Sequence, residues 1–314
     1  MSCLQKSHRR VAVLGSINID IIAKSSSLPH PGETIIAENV FFSPGGKGAN
    51  QAIALRRLEI DVMFSGTTGD DSFGDMARKI LIKENISLDH IKTLPSLHTG
   101  LALISIDSHG ENMITVSSGA NSELDEVTAR EIIRHLNPGD FLLLQREIPP
   151  ATNIEAIRLA VEKDIRVILD PAPAPPEGIS DDLLRKIFII TPNETETECL
   201  TGIRPHTQET ALTAARQLRE RGVSIAIVKL GAAGVCYAGP DEEGFIPPFR
   251  VTSTDSVAAG DCFNAGLASA LLRDAPLPEA VRTAAACGAL ATTKKGGADS
   301  APYAQEVSKL LREQ

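Results

Sequence analysis

The sequence predicts an α/β protein: a doubly wound, mainly parallel sheet with helices on both faces, plus a small β-sheet lid. Three observations carry that expectation. Short apolar runs alternate with segments of helical spacing, each run ends in polar, Gly or Pro residues, and two stretches break the rhythm. Short runs that are apolar throughout belong to strands buried on both faces, as in parallel sheets.

Taken in order, VAVLGSINID (11–20) reads as one buried strand ending in Gly and polar residues. Residues 49–58 and 73–83 carry helical spacing, the second opened by Asp70, Asp71 and Ser72 as cap candidates. Ser122 with Asp125 resembles a capping box opening a helix to about Leu136. Residues 141–145, 167–169, 187–190 and 225–228 are further short strands with helical segments between them. PAPAPP (171–176) must be a stiff loop.

Two stretches depart from this rhythm. Residues 21–44 have little helical periodicity and contain Pro29, Pro31 and Gly32, while 100–107 and 111–117 form a hairpin joined through Ser108, His109 and Gly110. They read as a lid of residues 21–44 and 99–117, inserted into a large domain of residues 11–20, 45–98 and 118–314. An edge extension of the main sheet is the alternative.

Lys and Arg number 31 against 40 Asp and Glu, a net charge of −9, and Trp is absent. That argues against nucleic acid and anionic membranes as partners, and the shortage of aromatics argues against a base-stacking platform. Cys3, Cys199, Cys236, Cys262 and Cys287 are scattered without a CxxC pair, which fits a reducing cytoplasm better than a disulfide or zinc framework. The apolar run after the basic MSCLQKSHRR is broken by Asn18 and Asp20, unlike a signal peptide. The longest uncharged apolar stretch, 283–293, falls short of the ~20 residues that span a bilayer.

Ligands of open parallel sheets bind beyond the carboxyl ends of the strands. Those ends carry Asn18 and Asp20, Glu147, Asp170, Asn193 with Glu196, and Lys229 with Gly231. Singly, each reads as a turn or cap; together they mark a rim. Gly45-Gly46-Lys47-Gly48-Ala49-Asn50-Gln51 leads into a helix but lacks the Ser or Thr of a Walker A loop and the third Gly of a GxGxxG fingerprint. Its glycines admit close backbone approach, and Lys47 and Asn50 can donate to hydroxyl groups. A plain helix start with a solvated lysine is the competing reading. In Asp255 to Gly266, small residues precede a helix and leave N–H groups free to hold an anion such as a transferring phosphate. Asp261 lies in the first turn of that helix. A carboxylate beside a phosphate cradle is electrostatically wasteful unless it moves a proton, although a simple cap is the alternative.

GGKGANQA (45–52), DPAPA (170–174), TPNETE (191–196), KLGAAGV (229–235), DSVAAGDCFNAG (255–266) and KKGGADSAP (294–302) occur in the order found in ribokinase-like sugar kinases. The resemblance runs from about Val11 to the C-terminus. It implies ATP-dependent transfer of a γ-phosphate to a sugar CH2OH group, foremost that of D-ribose to give ribose 5-phosphate. It also implies a homodimer clasped through the lid. Another small sugar, a nucleoside, or a catalytically silent sugar-binding regulator are the other readings.

The same resemblance implies the site. Asp261 is the base, with the N–H groups of Ala258, Ala259 and Gly260 as the anion hole. Asn18, Asp20, Gly46, Lys47, Asn50 and Glu147 meet the sugar. Asn193, Lys229, Gly231, Gly234 and Gly260 serve the nucleotide, and Glu196 supports Mg2+ through water. A K+ ion falls to Asp255, Val257, Ala291, Lys294, Gly296 and Ser300, largely through backbone carbonyls. Ser256 and Ala258 replace the more frequent Thr and Gly, Lys229 stands where Thr is common, and Ala285 replaces a larger polar residue. Arg146 stands where an apolar residue is usual; strand alternation turns it away from the face of Glu147, and a local bulge that pairs the two and weakens sugar contact is the alternative. Cys262 reads as an inert small residue. His98, before the lid hairpin, is a candidate for the pocket wall.

Overall fold

Every residue of the run Val11–Leu14 is fully buried and pairs on one side with the equally apolar Phe141–Leu144. The computed structural model describes residues 9–109, 111–174 and 176–314. The opening MSCLQKSH with Cys3, Gly110 of the expected hairpin turn, and Pro175 of the Pro-rich loop lie outside the described residues.

In chain order the first half contains β1 (Val11–Leu14), β2 (Asn18–Lys24), β3 (Asn39–Gly45), α1 (Lys47–Arg57), β4 (Val62–Gly69), α2 (Ser72–Lys83) and β5 (Ile91–Leu94). Then follow β6 (Gly100–Ile106), β7 (Asn112–Ser117), α3 (Glu126–Arg134), β8 (Phe141–Leu144), α4 (Pro150–Glu162) and β9 (Arg166–Leu169). The second half holds α5 (Asp181–Leu184), β10 (Ile189–Ile190), α6 (Glu194–Thr201), α7 (Gln208–Glu220), β11 (Ile225–Lys229), β12 (Val235–Ala238) and β13 (Glu243–Ile246). It closes with α8 (Ala259–Leu272), α9 (Leu277–Ala291) and α10 (Ala304–Glu313).

Nine strands form one sheet in the order β13-β12-β11-β10-β9-β8-β1-β4-β5, parallel except for β12 and β13 at one edge. Its two faces are covered differently. Val11, Val13, Phe141 and Leu143 point into a core shared with α1, α8 and α9, whereas Ala12, Leu14, Leu142 and Leu144 point into one shared with α3, α4 and α7. Period-two alternation thus puts apolar side chains on both faces, which is why the strands read as unbroken apolar runs. The doubly wound, mainly parallel α/β architecture is as the sequence predicts. A second sheet, order β3-β2-β6-β7, stands apart from the first. Its β6 and β7 are antiparallel, with Leu101 opposite Ser117 and Ile106 opposite Asn112.

Two local readings change. The run 11–20 is two strands, not one: β1 ends at Leu14, and after Gly15, Ser16 and Ile17 the chain resumes as β2 in the other sheet. A close approach of main chains forces this break. A Cβ on Gly48 would lie 2.6 Å from the Gly15 carbonyl carbon and 2.7 Å from the Ser16 nitrogen. The start of α1 therefore presses on the chain where it leaves the central sheet, and the Ser16 carbonyl accepts the Ala49 N–H at 3.0 Å. The Ser122–Asp125 capping box does not form, because Asp125 is itself the N-cap of α3 and accepts from the Thr128 N–H. Asp71, among the candidates at 70–72, caps α2 through the Gly74 N–H. Strands β4, β5, β12 and β13 were not singled out by sequence reasoning.

Neighbouring strand β1 connects outward to β4 and β5 on one side, while β8 to β11 extend on the other. The strand order therefore reverses between β1 and β8, and a crevice opens at their carboxyl ends. Replacing Gly48 by Ala drives a methyl into main-chain atoms that cannot rotate aside. We expect it to cost about 1–3 kcal/mol, read as a lowered melting temperature; unchanged thermal stability would refute the close-packing account.

Candidate active site

The residues that follow β1 and β8 build the floor of the crevice. Glu147 Oε2 accepts from Ser16 Oγ at 2.5 Å and from the Lys47 N–H at 2.9 Å. One carboxylate oxygen thus ties the end of β8 to both sides of the switch point. Gly46 takes φ 85°, a conformation that suits glycine, and a Cβ there would lie 2.7 Å from the Asn18 nitrogen. Gly45 faces the Asp20 carboxylate directly, leaving no space for any side chain. The GGKG run is therefore a main-chain surface on which Asn18, Asp20 and Glu147 converge.

A cavity of about 640 Å³ lies between this surface and the second sheet, lined by Asn18, Lys47, Asn121, Arg146, Glu147 and Glu196, with Val116 of β7 and Ser118 on the sheet side. Asn18 Oδ1 accepts from Asn121 Nδ2 at 2.8 Å, and Asn121 also bonds the Ile17 backbone in both directions. Asn121 orients Asn18 and was missed, since nothing marks it within a Ser- and Gly-rich turn. Arg146 differs from expectation: it shares the cavity wall with Glu147, because β8 ends at Leu144 and strand alternation no longer applies. His98 does not line the cavity; its ring contacts the Thr99 carbonyl and Ser117 Oγ.

Asp261 does not reach this wall. It is 3% exposed, in the first turn of α8, and accepts from Asn50 Nδ2 at 2.9 Å and from Gln51 Nε2 at 3.2 Å. Asn50 thus spends its amide on Asp261, and its Oδ1 is buried without a partner. Ala258, the N-cap of α8, has φ 60°, and the N–H groups of Ala258 and Gly260 meet no protein acceptor among the described residues. Ala259 N–H makes a 3.3 Å bond to the Ser256 carbonyl. A helix start with free N–H groups is a ready anion site.

Asp170, buried after β9, lies between two ammonium groups: Lys47 Nζ at 3.9 Å from Oδ2 and Lys229 Nζ at 3.4 Å from Oδ1. Lys229 Nζ also stands 3.4 Å from where a Gly260 Cβ would be, so a cation faces the start of α8. Asn193 and Glu196 satisfy one another as the capping box of α6, with bonds of 2.8 and 2.9 Å. Gly231 opens the turn Gly231–Ala233 between β11 and β12, beside open space, and Gly234 closes it with φ 106°.

Farther along, Asp255 Oδ1 accepts the Val257 N–H and Oδ2 accepts the Gly296 N–H, at 3.0 and 3.1 Å. The loop before α8 is thereby fastened to the loop 294–300. Ala291 O accepts the Lys294 N–H, the Lys294 ammonium turns away to Glu306, and Ser300 Oγ donates to Gly297 O.

The charges are unevenly matched. Burial, then Glu147 and Asp261, push the Asp20 carboxyl up to about 7. Burial pushes Asp261 up to about 6; Lys47 pulls it back, Asp170 and Glu147 push it further, and the Asn50 hydrogen bond lowers it. Glu196 is raised by burial and then by Asp170. Burial alone would lower the Lys47 ammonium, but Asp261, Asp170, Glu147 and Glu196 outweigh it and hold the charge firmly. Burial and Asp261 push the Cys262 thiol far up, consistent with an inert residue.

A carboxylate raised in the folded state stabilises the protein while protonated and loses that contribution as pH climbs through the folded value. In metal-free buffer, Asp20→Asn should therefore melt several degrees above the parent protein at pH 8. The gap should narrow as pH falls through about 7 and close only below the ordinary carboxylate value of 3.8, where folded and unfolded chains both carry the proton; a pH-independent gap would refute the charge assignment.

Residues 8–304 match the model of the pfkB family of carbohydrate kinases. A ribokinase of Haemophilus influenzae is 39% identical over 303 residues, covering 96% of this chain and 98% of its own. A deoxyribokinase of Salmonella typhi is 32% identical over 301 residues, covering 96% and 98%. The solved Arabidopsis thaliana ribokinase, complexed with ribose and ATP, superposes with a TM-score of 0.88 at 32% identity, covering 97% and 99%. No helix among the described residues is long and apolar enough to cross a membrane. The chain belongs to the pfkB family of carbohydrate kinases.

Proposed function

We propose that this carbohydrate kinase transfers the γ-phosphate of ATP to the primary hydroxyl of a pentose, D-ribose, giving ribose 5-phosphate and ADP. The observation that carries the reading is Asp261, buried in the first turn of α8 beside free N–H groups and within the field of Lys47. The choice of ribose is supported by the ribokinases of Haemophilus influenzae and Arabidopsis thaliana.

The sugar rests on Asn18, Asp20, Gly46, Lys47, Asn50 and Glu147. Asn18 keeps its Nδ2 and Glu147 its Oε1 for hydroxyl groups, since their other atoms are engaged. A site with committed polar partners rejects analogues lacking a hydroxyl, because a buried group is left unpaired. The primary hydroxyl oxygen attacks the γ-phosphorus, the bond to the β,γ-bridging oxygen breaks, and the hydroxyl proton passes to Asp261. An ordinary carboxylate near 3.9 is a weak base for an alcohol, but a loose transition state allows the proton to move late. Ala258 and Gly260 offer free N–H groups to the developing charge, Ala259 joins them by giving up its 3.3 Å bond to the Ser256 carbonyl, and Lys229, Asn193, Gly231 and Gly234 face the nucleotide.

Two ions fit the residues present. Asp170 Oδ2 is buried without a hydrogen-bond donor and Glu196 is raised by burial and then by Asp170, a pair of carboxylates that suits Mg2+. When bound, Mg2+ neutralises charge on the phosphate oxygens. Asp255 forms no ion pair among the described residues while joining the loops of Val257 and Gly296. With the carbonyls of Ala291, Lys294 and Ser300 on the segment that Asp255 joins through Thr292 and Gly296, this fits a large, weakly hydrated K+.

The second sheet serves as the lid, residues 21–44 and 99–117, over the large domain. On it Val40, Phe42, Leu103 and Met113 share one face and Phe41, Ile114 and Val116 the other, all about half exposed, apolar cover that supports a homodimer. Sedimentation should find two chains per particle; a monomer at micromolar concentration would overturn the clasp.

ADP release decides the chemistry, measured over ribose, deoxyribose, a hexose and a nucleoside, with and without K+. We expect ribose to be fastest and K+ to raise the rate. Asp261→Asn should keep sugar binding and lose about 10²–10⁴-fold in kcat. Comparable turnover in that variant would remove Asp261 as the base, and sugar binding without ADP release in the parent protein would favour a silent regulator.

A further inference from the structure

Two glutamines stand between the central sheet and Asp261. Gln51 and Gln145 are each 1% exposed. Gln145, the first residue after β8, donates through Nε2 to Gln51 Oε1 at 2.7 Å, and Gln51 donates through Nε2 to Asp261 Oδ1 at 3.2 Å. Behind them Asn153 Nδ2 donates to the Gln145 carbonyl at 2.7 Å. We propose that Gln145 and Gln51 form an amide relay that fixes and tunes the Asp261 carboxylate, acting as positioning residues for proton transfer.

The direction of the relay follows from donor chemistry. An amide has one acceptor end and one donor end. Because Gln145 presents N–H to the Gln51 oxygen, Gln51 must present its own N–H to Asp261. A rotated Gln51 would set a carbonyl oxygen against a carboxylate. The cost of this arrangement is visible: Gln145 Oε1 is buried with no hydrogen-bond partner. Gly15 is shaped to accept it, since a Cβ there would lie on that oxygen. An orphaned buried oxygen and an obligatory glycine are poor packing but a rigid anchor for the amide that faces Gln51. The relay also begins at the switch point, one residue from Arg146 and two from Glu147, so the base and the cavity wall share an anchor.

A donor to the ionised form holds a carboxylate down, so losing it raises the carboxyl. Lys47 from α1, Asp170 beyond β9, Glu147 beyond β8 and Asp20 from the second sheet also act on Asp261, and none is altered by changing the glutamines. Gln51→Met and Gln145→Met preserve chain length while removing the relay. The inference rests on Asp261 as proton acceptor, so Asp261→Asn is measured alongside.

Gln51→Met should lower kcat by up to about 100-fold with KM for sugar and ATP unchanged, and should move the acid limb of the kcat profile to higher pH. Gln145→Met should move the limb in the same direction, and the double variant should lose no more than Gln51→Met alone, as members of one chain do. An unmoved acid limb, or losses that multiply in the double variant, would overturn the relay. Should Gln51→Met fail to fold, Gln145→Met, which leaves the residues touching Asp261 intact, decides by the same limb. Full activity in Asp261→Asn would instead sink the reading of the base itself.

Discussion

The fold of this kinase is organised around a shortage of positive charge. Asp20, Glu147, Asp170, Glu196 and Asp261 act on one another across one crevice, with Lys47 and Lys229 as the ammonium groups set among them. Water cannot screen buried groups, so burial and the neighbouring carboxylates raise Asp20, Glu196 and Asp261. Such a cluster weakens the empty protein. It is well suited to a ligand that brings polyol donors on one side and a metal–phosphate complex on the other.

Main-chain geometry tolerates the crowding. Where the central sheet reverses its strand order, β1 and β8 end side by side, and the first turn of α1 leans on the chain leaving β1. Glycines at 15, 45, 46 and 48 remove side chains at each near-collision, so carboxylates and amides approach where methyl groups cannot. From that start α1 presents Lys47 toward Asp170, and Asn50 and Gln51 toward Asp261. One helix thus reaches both Asp170 and Asp261.

Much of this was legible in residue order. Unbroken apolar runs named the strands buried on both faces, and the turn-rich stretch at 21–44 with the hairpin at 100–117 named the second sheet. Of the polar residues read at strand ends, Asn18, Glu147 and Glu196 line one cavity, although Asn18 and Asp20 open β2 rather than end β1. What stayed hidden depends on contacts between distant segments. The split of 11–20 into two strands comes from pressure by Gly48, which local patterning cannot register. Asn121 orients Asn18 from an unremarkable turn. Gln145 and Gln51 carried a faint signal, as amides in otherwise apolar or small-residue surroundings, yet their pairing needs three dimensions. Arg146 was misjudged because period-two logic was extended past the end of β8.

The packing of α1 against α8 has a bearing on how the chain is made. Ala49, Ala52 and Ile53 share a core with Cys262, Phe263 and Leu267, so an early helix completes its apolar contacts only with one near the C-terminus. During translation the first helix emerges long before its mate, leaving a greasy flank uncovered on the ribosome. Biogenesis thus runs in the opposite sense to catalysis: the segment bearing Lys47 waits for the segment bearing Asp261, and a prematurely terminated chain holds half a crevice and a sticky surface.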